Sequence, residues 1–214
     1  MCWERGRSFV NKNDLLLFIG DSITEAGRYE DPEQIGSSYV RYIRDYMAIN
    51  RPELLPTIIN KGIGGNRVTD LAERWEADVL NLNPDYVSIS IGINDVWRQL
   101  DSPHEVSLSP EKFKEVYASL IEQVHARTNA KIILMEPTVI EEDVDAQGNK
   151  LLKPYVKAVQ ELAKRYDAVL VPAHTAFIAY LEKENHQVLT TDGVHMNPAG
   201  NMLMAQTWLH AVLN

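Results

Sequence analysis

The chain has 214 residues, 45% hydrophobic and 24% charged, a composition that supports one large domain with a sizeable core and excludes intrinsic disorder as its main state. Its 21 Lys and Arg against 30 Asp and Glu leave a net charge of −9, which excludes a broad phosphate-binding surface for nucleic acid or an anionic membrane. Cys2 is the only cysteine, so neither an intrachain disulfide nor a cysteine-rich zinc site can form; a reducing, cytoplasmic setting fits, and Cys2 is assigned no role.

In chain order, residues 1–13 carry charges and polar residues where a signal peptide needs an apolar run. They read as an N-terminal extension of a single domain spanning 1–214, with neither an export signal nor a membrane span. Short apolar, β-branched runs at 15–19, 57–60, 86–91, 131–135 and 168–171 read as buried parallel strands. Segments of helical period separate and follow them, at 38–49, 69–82, 110–127, 151–166 and 198–213. Asn197 and Pro198 make a good start for the last helix, as N-cap and first helical residue. The acidic stretch 141–145, followed by Gly148 and Asn149, reads as a solvated loop with a turn; the ligand spacing of a calcium loop is absent. Alternation of strands and helices predicts a doubly wound α/β sandwich around a five-stranded parallel sheet.

Reactive groups in such folds sit at the carboxyl ends of strands. Three strands run into Gly20-Asp21-Ser22, Asn60-Lys61-Gly62-Ile63-Gly64-Gly65-Asn66 and Gly92-Ile93-Asn94-Asp95, and Asp192-Gly193-Val194-His195 precedes the final helix. Each has a plain structural reading as a turn or a helix cap. The glycines do not make a dinucleotide fingerprint, because Arg67 stands where its third glycine belongs, and no phosphate-binding loop or zinc-protease motif is present. Taken together the segments meet the requirements of acyl transfer: Ser22 as nucleophile, His195 as base, and Asp192, three residues away, to hold the imidazole. Convergent donors for an oxyanion would be the Ser22 N–H, a glycine N–H from the second segment and the Asn94 amide. Asp21 and Asp95 are assigned to holding loops through backbone N–H groups. His104, His125, His174, His186 and His210 read as surface or packing residues.

These four blocks, in this order, resemble the SGNH hydrolases, also called GDSL-like esterases. The resemblance implies a flavodoxin-like three-layer α/β/α sandwich and ester hydrolysis through an acyl-serine, with no metal or other cofactor. It also implies an oxyanion hole of Ser22, Asn94 and a glycine that aligns as Gly65, with Gly64 the alternative. Residues 60–66 and 92–98 look like intracellular acetylxylan esterases of this superfamily. The expected substrate is therefore a small acyl ester, an acetyl group on a short sugar or xylo-oligosaccharide, with Trp97 and Arg98 contacting the sugar. Family members often self-assemble, so a homo-oligomer is a further expectation. His195 is followed by Met196-Asn197-Pro198, where many members place proline directly after the histidine. Two alternatives stay open: a thioesterase or lysophospholipase, which requires a long apolar acyl groove, and a non-catalytic α/β binding module.

Overall fold

A computed structural model describes residues 10–101 and 108–213. Within it β1 (Leu15–Gly20), β2 (Thr57–Gly62), β3 (Tyr86–Ser90), β4 (Lys131–Met135) and β5 (Val169–Val171) form one parallel sheet in the order β2-β1-β3-β4-β5. All five expected strands are present, four of them with ends shifted by one or two residues. The middle strands are buried on both faces because helices cover both.

The helices are α1 (Ser22–Glu25), α2 (Tyr39–Asn50), α3 (Val68–Asp78), α4 (Ile93–Asp101), α5 (Pro110–Arg127), α6 (Gln147–Arg165), α7 (Ala173–Leu181) and α8 (Pro198–Leu213). On one side α2 packs on α8, which also meets β5 and α7; on the other, α3, α5 and α6 pack in series. Phe18 and Ser88 are register partners on β1 and β3 and so share a face. Phe18 meets Trp208 of α8 at 5.5 Å and Tyr39 of α2 at 5.9 Å between ring centres, and the Trp208 indole N–H donates to Ser88 Oγ at 3.0 Å. A buried serine in mid-strand thus satisfies the one polar atom of a buried tryptophan.

Several expectations need correction. The helix expected over 69–82 ends at Asp78 and resumes as a 3₁₀ turn, Leu80–Leu82, closed by Asn83 in the left-handed region. Helix α6 starts one turn before the expected residue 151, so Gly148 and Asn149 are buried in its first turns rather than forming a solvated turn. Pro154 then falls in the helix interior, on an exposed position where the carbonyl it leaves without a donor can meet water. Helices α1, α4 and α7 were not assigned from the sequence. Of the expected N-terminal extension, residues 1–9 with Cys2 lie outside the described residues, as does His104, while Val10 is buried in the core.

Order reverses between β1 and β3, whose crossovers leave in opposite directions. This places a crevice at their carboxyl ends. No described helix is long and apolar enough to cross a membrane.

Candidate active site

Each motif segment sits where tight packing dictates its residue types. A Cβ on Gly20 would lie 2.3 Å from the Ser90 carbonyl oxygen and 2.5 Å from Thr24 Oγ1, so only glycine lets β1 end against β3 and turn into α1. Asp21 caps that helix: its Oδ1 accepts the Ile23 N–H at 3.0 Å. Ser22 is the first helical residue, which leaves its own N–H without an intrahelical partner. Asn60 braces the underside, donating to the Thr24 and Ile35 carbonyls at 2.7 Å and accepting the Gly62 N–H at 2.8 Å.

The second segment turns at Gly65, whose φ of +77° favours glycine and whose Cβ would meet Arg98 Nη2 at 3.4 Å. Gly64 has ordinary φ and lies toward Ser22 Cβ and the Glu25 carboxylate. Asn94, in the first turn of α4 and 4% exposed, donates one amide hydrogen to the Asn66 carbonyl at 3.0 Å, leaving a second for the cavity. Asp95 accepts the Val68 N–H, which ties the start of α3 to the start of α4. Both aspartates thus hold backbone N–H groups, as expected.

The third part is the loop before α8. Asp192 Oδ1 accepts the N–H groups of Val194 at 3.0 Å and His195 at 2.8 Å, while Oδ2 lies 2.6 Å from His195 Nδ1. His195 Nε2 lies 2.9 Å from Ser22 Oγ, a contact between residues 173 positions apart. Burial raises the Asp192 pKa, but the hydrogen bonds and charge from the His195 segment outweigh it and hold the carboxyl below the usual range. An ionised carboxylate only accepts, so Nδ1 carries the proton and Nε2 presents its lone pair to the Ser22 hydroxyl.

Ser22, Gly65, Asn94, Trp97, Arg98 and His195 line one cavity of about 260 Å³. Trp97 stands edge-on to the His195 ring at 5.8 Å between centres. A larger groove of about 1140 Å³ runs between α2 and α8 and holds none of these residues. Among the described residues no cluster of His, Cys, Asp or Glu is placed to hold a metal ion.

Burial pushes Asp21 and Asp95 up to about 7, against the lowering effect of the backbone N–H groups each accepts. Protonation of His195 would lower Asp21, while for Asp95 the Arg67 charge lowers the pKa and the Asp21 charge raises it. A carboxyl whose folded pKa exceeds its unfolded value stabilises the fold at low pH and loses that contribution as pH rises through about 7. Asp95→Asn keeps an oxygen for the Val68 N–H and removes the titration. In urea melts, the variant should therefore show a shallower loss of stability than wild type between about pH 4 and 7, by up to a few kcal/mol. Parallel curves would contradict the buried-acid assignment.

The family model for GDSL-like lipases and acylhydrolases matches residues 18–203. The chain belongs to this family. An acetylxylan esterase from Geobacillus stearothermophilus is 35% identical over 210 residues, 95% of each chain. Its crystal structure superimposes with a TM-score of 0.88. Three further structures of that esterase are catalytic mutants, with alanine replacing a serine, an aspartate or a histidine. LAE5, an α/β hydrolase from the metagenome of Lake Arreo, is 33% identical, with a TM-score of 0.89 and 96% and 99% of the two chains covered. The GDSL-like chain described here is accordingly a carboxylic ester hydrolase with the α/β fold of that family.

Sequence reasoning placed the reactive segments but missed two features of this GDSL-like site. One is the contact of Trp97 with His195, across 98 positions of chain. The other is a second loop, residues 140–143, that grips the segment carrying Asp192 and His195.

Proposed function

We propose that the enzyme removes acetyl groups from short saccharides, xylo-oligosaccharides in particular, through an acetyl-Ser22 intermediate. Ser22 Oγ attacks the ester carbonyl as its proton passes to His195 Nε2, and Asp192 stabilises the imidazolium that forms. The negative charge on the carbonyl oxygen is met by the N–H groups of Ser22 and Gly65 and by the free amide hydrogen of Asn94. Collapse breaks the bond to the sugar oxygen, which leaves with the proton from His195. Water, deprotonated by the same histidine, then attacks the acyl carbon and releases acetate and Ser22. The observation that carries this reading is the hydrogen-bonded series from Ser22 Oγ to His195 at 2.9 Å and from His195 to Asp192 at 2.6 Å.

A small acyl group is supported by the size of the cavity, about 260 Å³, and by Trp97 as its one large apolar wall. A thioesterase or lysophospholipase needs a long apolar groove leading from the serine. The saccharide assignment draws on the Geobacillus relative and on Trp97 and Arg98 at the cavity, an aromatic face for C–H surfaces beside a fork of donors for hydroxyls.

A hydrolysis panel of acetyl, butyryl, octanoyl and thioester substrates beside acetylated xylo-oligosaccharides tests the proposal. The acetylated oligosaccharide should show the highest kcat/KM; preference for octanoyl or thioester substrates would refute it. In the same assay Trp97→Ala should slow both an aryl acetate and the oligosaccharide, because the ring also packs on His195. The oligosaccharide should lose about 3- to 10-fold more, the worth of one aromatic contact. Equal losses would make Trp97 a support for His195 alone.

A further inference from the structure

The acidic stretch after β4 was expected to be solvated, yet Glu142 is spent on protein. Its carboxylate accepts the Leu189 N–H at 2.9 and 3.1 Å and the Thr190 N–H at 2.7 Å, and it also accepts the Thr190 hydroxyl. With its hydrogen committed to Glu142, Thr190 Oγ1 turns a lone pair to the Gly193 N–H at 3.1 Å. The Gly193 carbonyl is held in turn by the Glu141 N–H at 2.7 Å. Gly193 lies between Asp192 and the two N–H groups that Asp192 accepts, at a φ of +90°. Asn149, with no exposed surface, secures the gripping loop: Oδ1 accepts the Ile140 N–H at 2.9 Å, and Nδ2 donates to the carbonyls of Glu141 at 3.1 Å and Asp143 at 2.7 Å.

We propose that Glu142 is a positioning residue for the Asp192–His195 pair, acting through Thr190 and Gly193; this rests on the triad reading above. The flanks of that segment are held independently of Glu142: Thr191 donates its N–H and hydroxyl to the His195 carbonyl at 2.8 and 3.2 Å, and Asn197 donates its N–H to the Leu189 carbonyl at 2.9 Å and its amide to the Val188 carbonyl at 2.7 Å. The Gly193 N–H at the tip of the turn depends on the Thr190 relay. Asp192 and His195 side chains are 48% and 37% exposed, and Val194 is the apolar residue that anchors the turn in the core. Without the carboxylate the Thr190 hydroxyl is free to rotate, the Gly193 peptide loses its orienting acceptor, and the imidazole drifts from Ser22. Misplacement of a reacting group by about 1 Å costs about 10²-fold in rate.

The test is a double-mutant cycle on the intact chain, with Glu142→Ala made in the wild-type and Asp192→Ala backgrounds and assayed on an activated aryl acetate. In the wild-type background kcat should fall about 10²-fold with KM little changed; in the Asp192→Ala background the same substitution should cost only a few-fold. Glu142→Gln, which keeps one acceptor oxygen, should restore part of the loss. If Glu142→Ala fails to fold, Thr190→Val breaks the same relay and should give the same pattern. Equal losses in both backgrounds would mean that Glu142 supports the fold generally, and an unchanged kcat would show that it positions nothing; either overturns the proposal. The low-field proton resonance of His195 Nδ1–H gives a readout independent of turnover. It should broaden in Glu142→Ala and stay sharp in Glu142→Gln. Absence of Ser22-dependent turnover in the wild-type enzyme would defeat the ester-hydrolysis mechanism instead, with the resonance still reporting on Glu142.

Discussion

Replacing Ser22 by alanine is expected to lower kcat for an acetyl ester by about 10⁶-fold. The hydroxyl supplies the atom to which the acyl group is transferred, and no neighbouring side chain in the cavity can replace it: Asn94 and Arg98 are donors without a usable nucleophilic lone pair, and His195 faces Ser22 itself. Alanine is a good helix former at the start of α1, and the Asp21 cap and the oxyanion donors remain in place, so the variant should keep its fold and substrate affinity. Residual acceleration over water would come from binding and from the oxyanion donors acting on an adventitious water. Circular dichroism and KM verify the fold and the site while kcat reports the loss. A variant retaining near wild-type kcat would place the nucleophile elsewhere.

Asp192→Asn should cost about 10³- to 10⁴-fold in kcat. The amide oxygen can take over from Oδ1 and keep the Val194 and His195 N–H groups, so the loop should survive. The amide nitrogen then stands where Oδ2 met Nδ1 at 2.6 Å, and it donates where the carboxylate accepted. The imidazole answers by moving its proton to Nε2, which abolishes the acceptor that Ser22 needs. Turning the amide over restores Nδ1 but leaves two loop N–H groups facing a donor. Because Asp192 is 48% exposed, water competes for part of its role, which favours the lower end of the range. A loss below ten-fold would show that Asp192 acts as a loop staple rather than as the partner of His195.

Strands and reactive segments were legible because each rests on a local pattern: an apolar run for a buried strand, and at its carboxyl end the small or polar residues a tight turn requires. Gly20-Asp21-Ser22 is such a case, since the steric demand on Gly20 and the capping role of Asp21 act within a few residues of Ser22. Helix α1, at four residues, is barely one turn, too short for an apolar face to repeat, and α7, AHTAFIAYL, is apolar around most of its circumference, so neither shows a face. The sequence offers no sign of what Glu142 does, because its partners, two backbone N–H groups and the Thr190 hydroxyl, lie 47 and 48 residues away, and any residue except proline supplies such an N–H. Asn149 was misread for the same reason: Asn beside Gly is a turn signal, yet here the amide closes a loop over its own helix.

The most direct test of the acyl-serine mechanism is rapid-quench mass spectrometry of the wild-type enzyme during turnover of an acetylated xylo-oligosaccharide. A peptide containing Ser22 and heavier by one acetyl group should accumulate within the first turnover, be absent from Ser22→Ala and decay once substrate is exhausted. Turnover that proceeds with Ser22 unmodified throughout, or with the acetyl group on another residue, would contradict the mechanism.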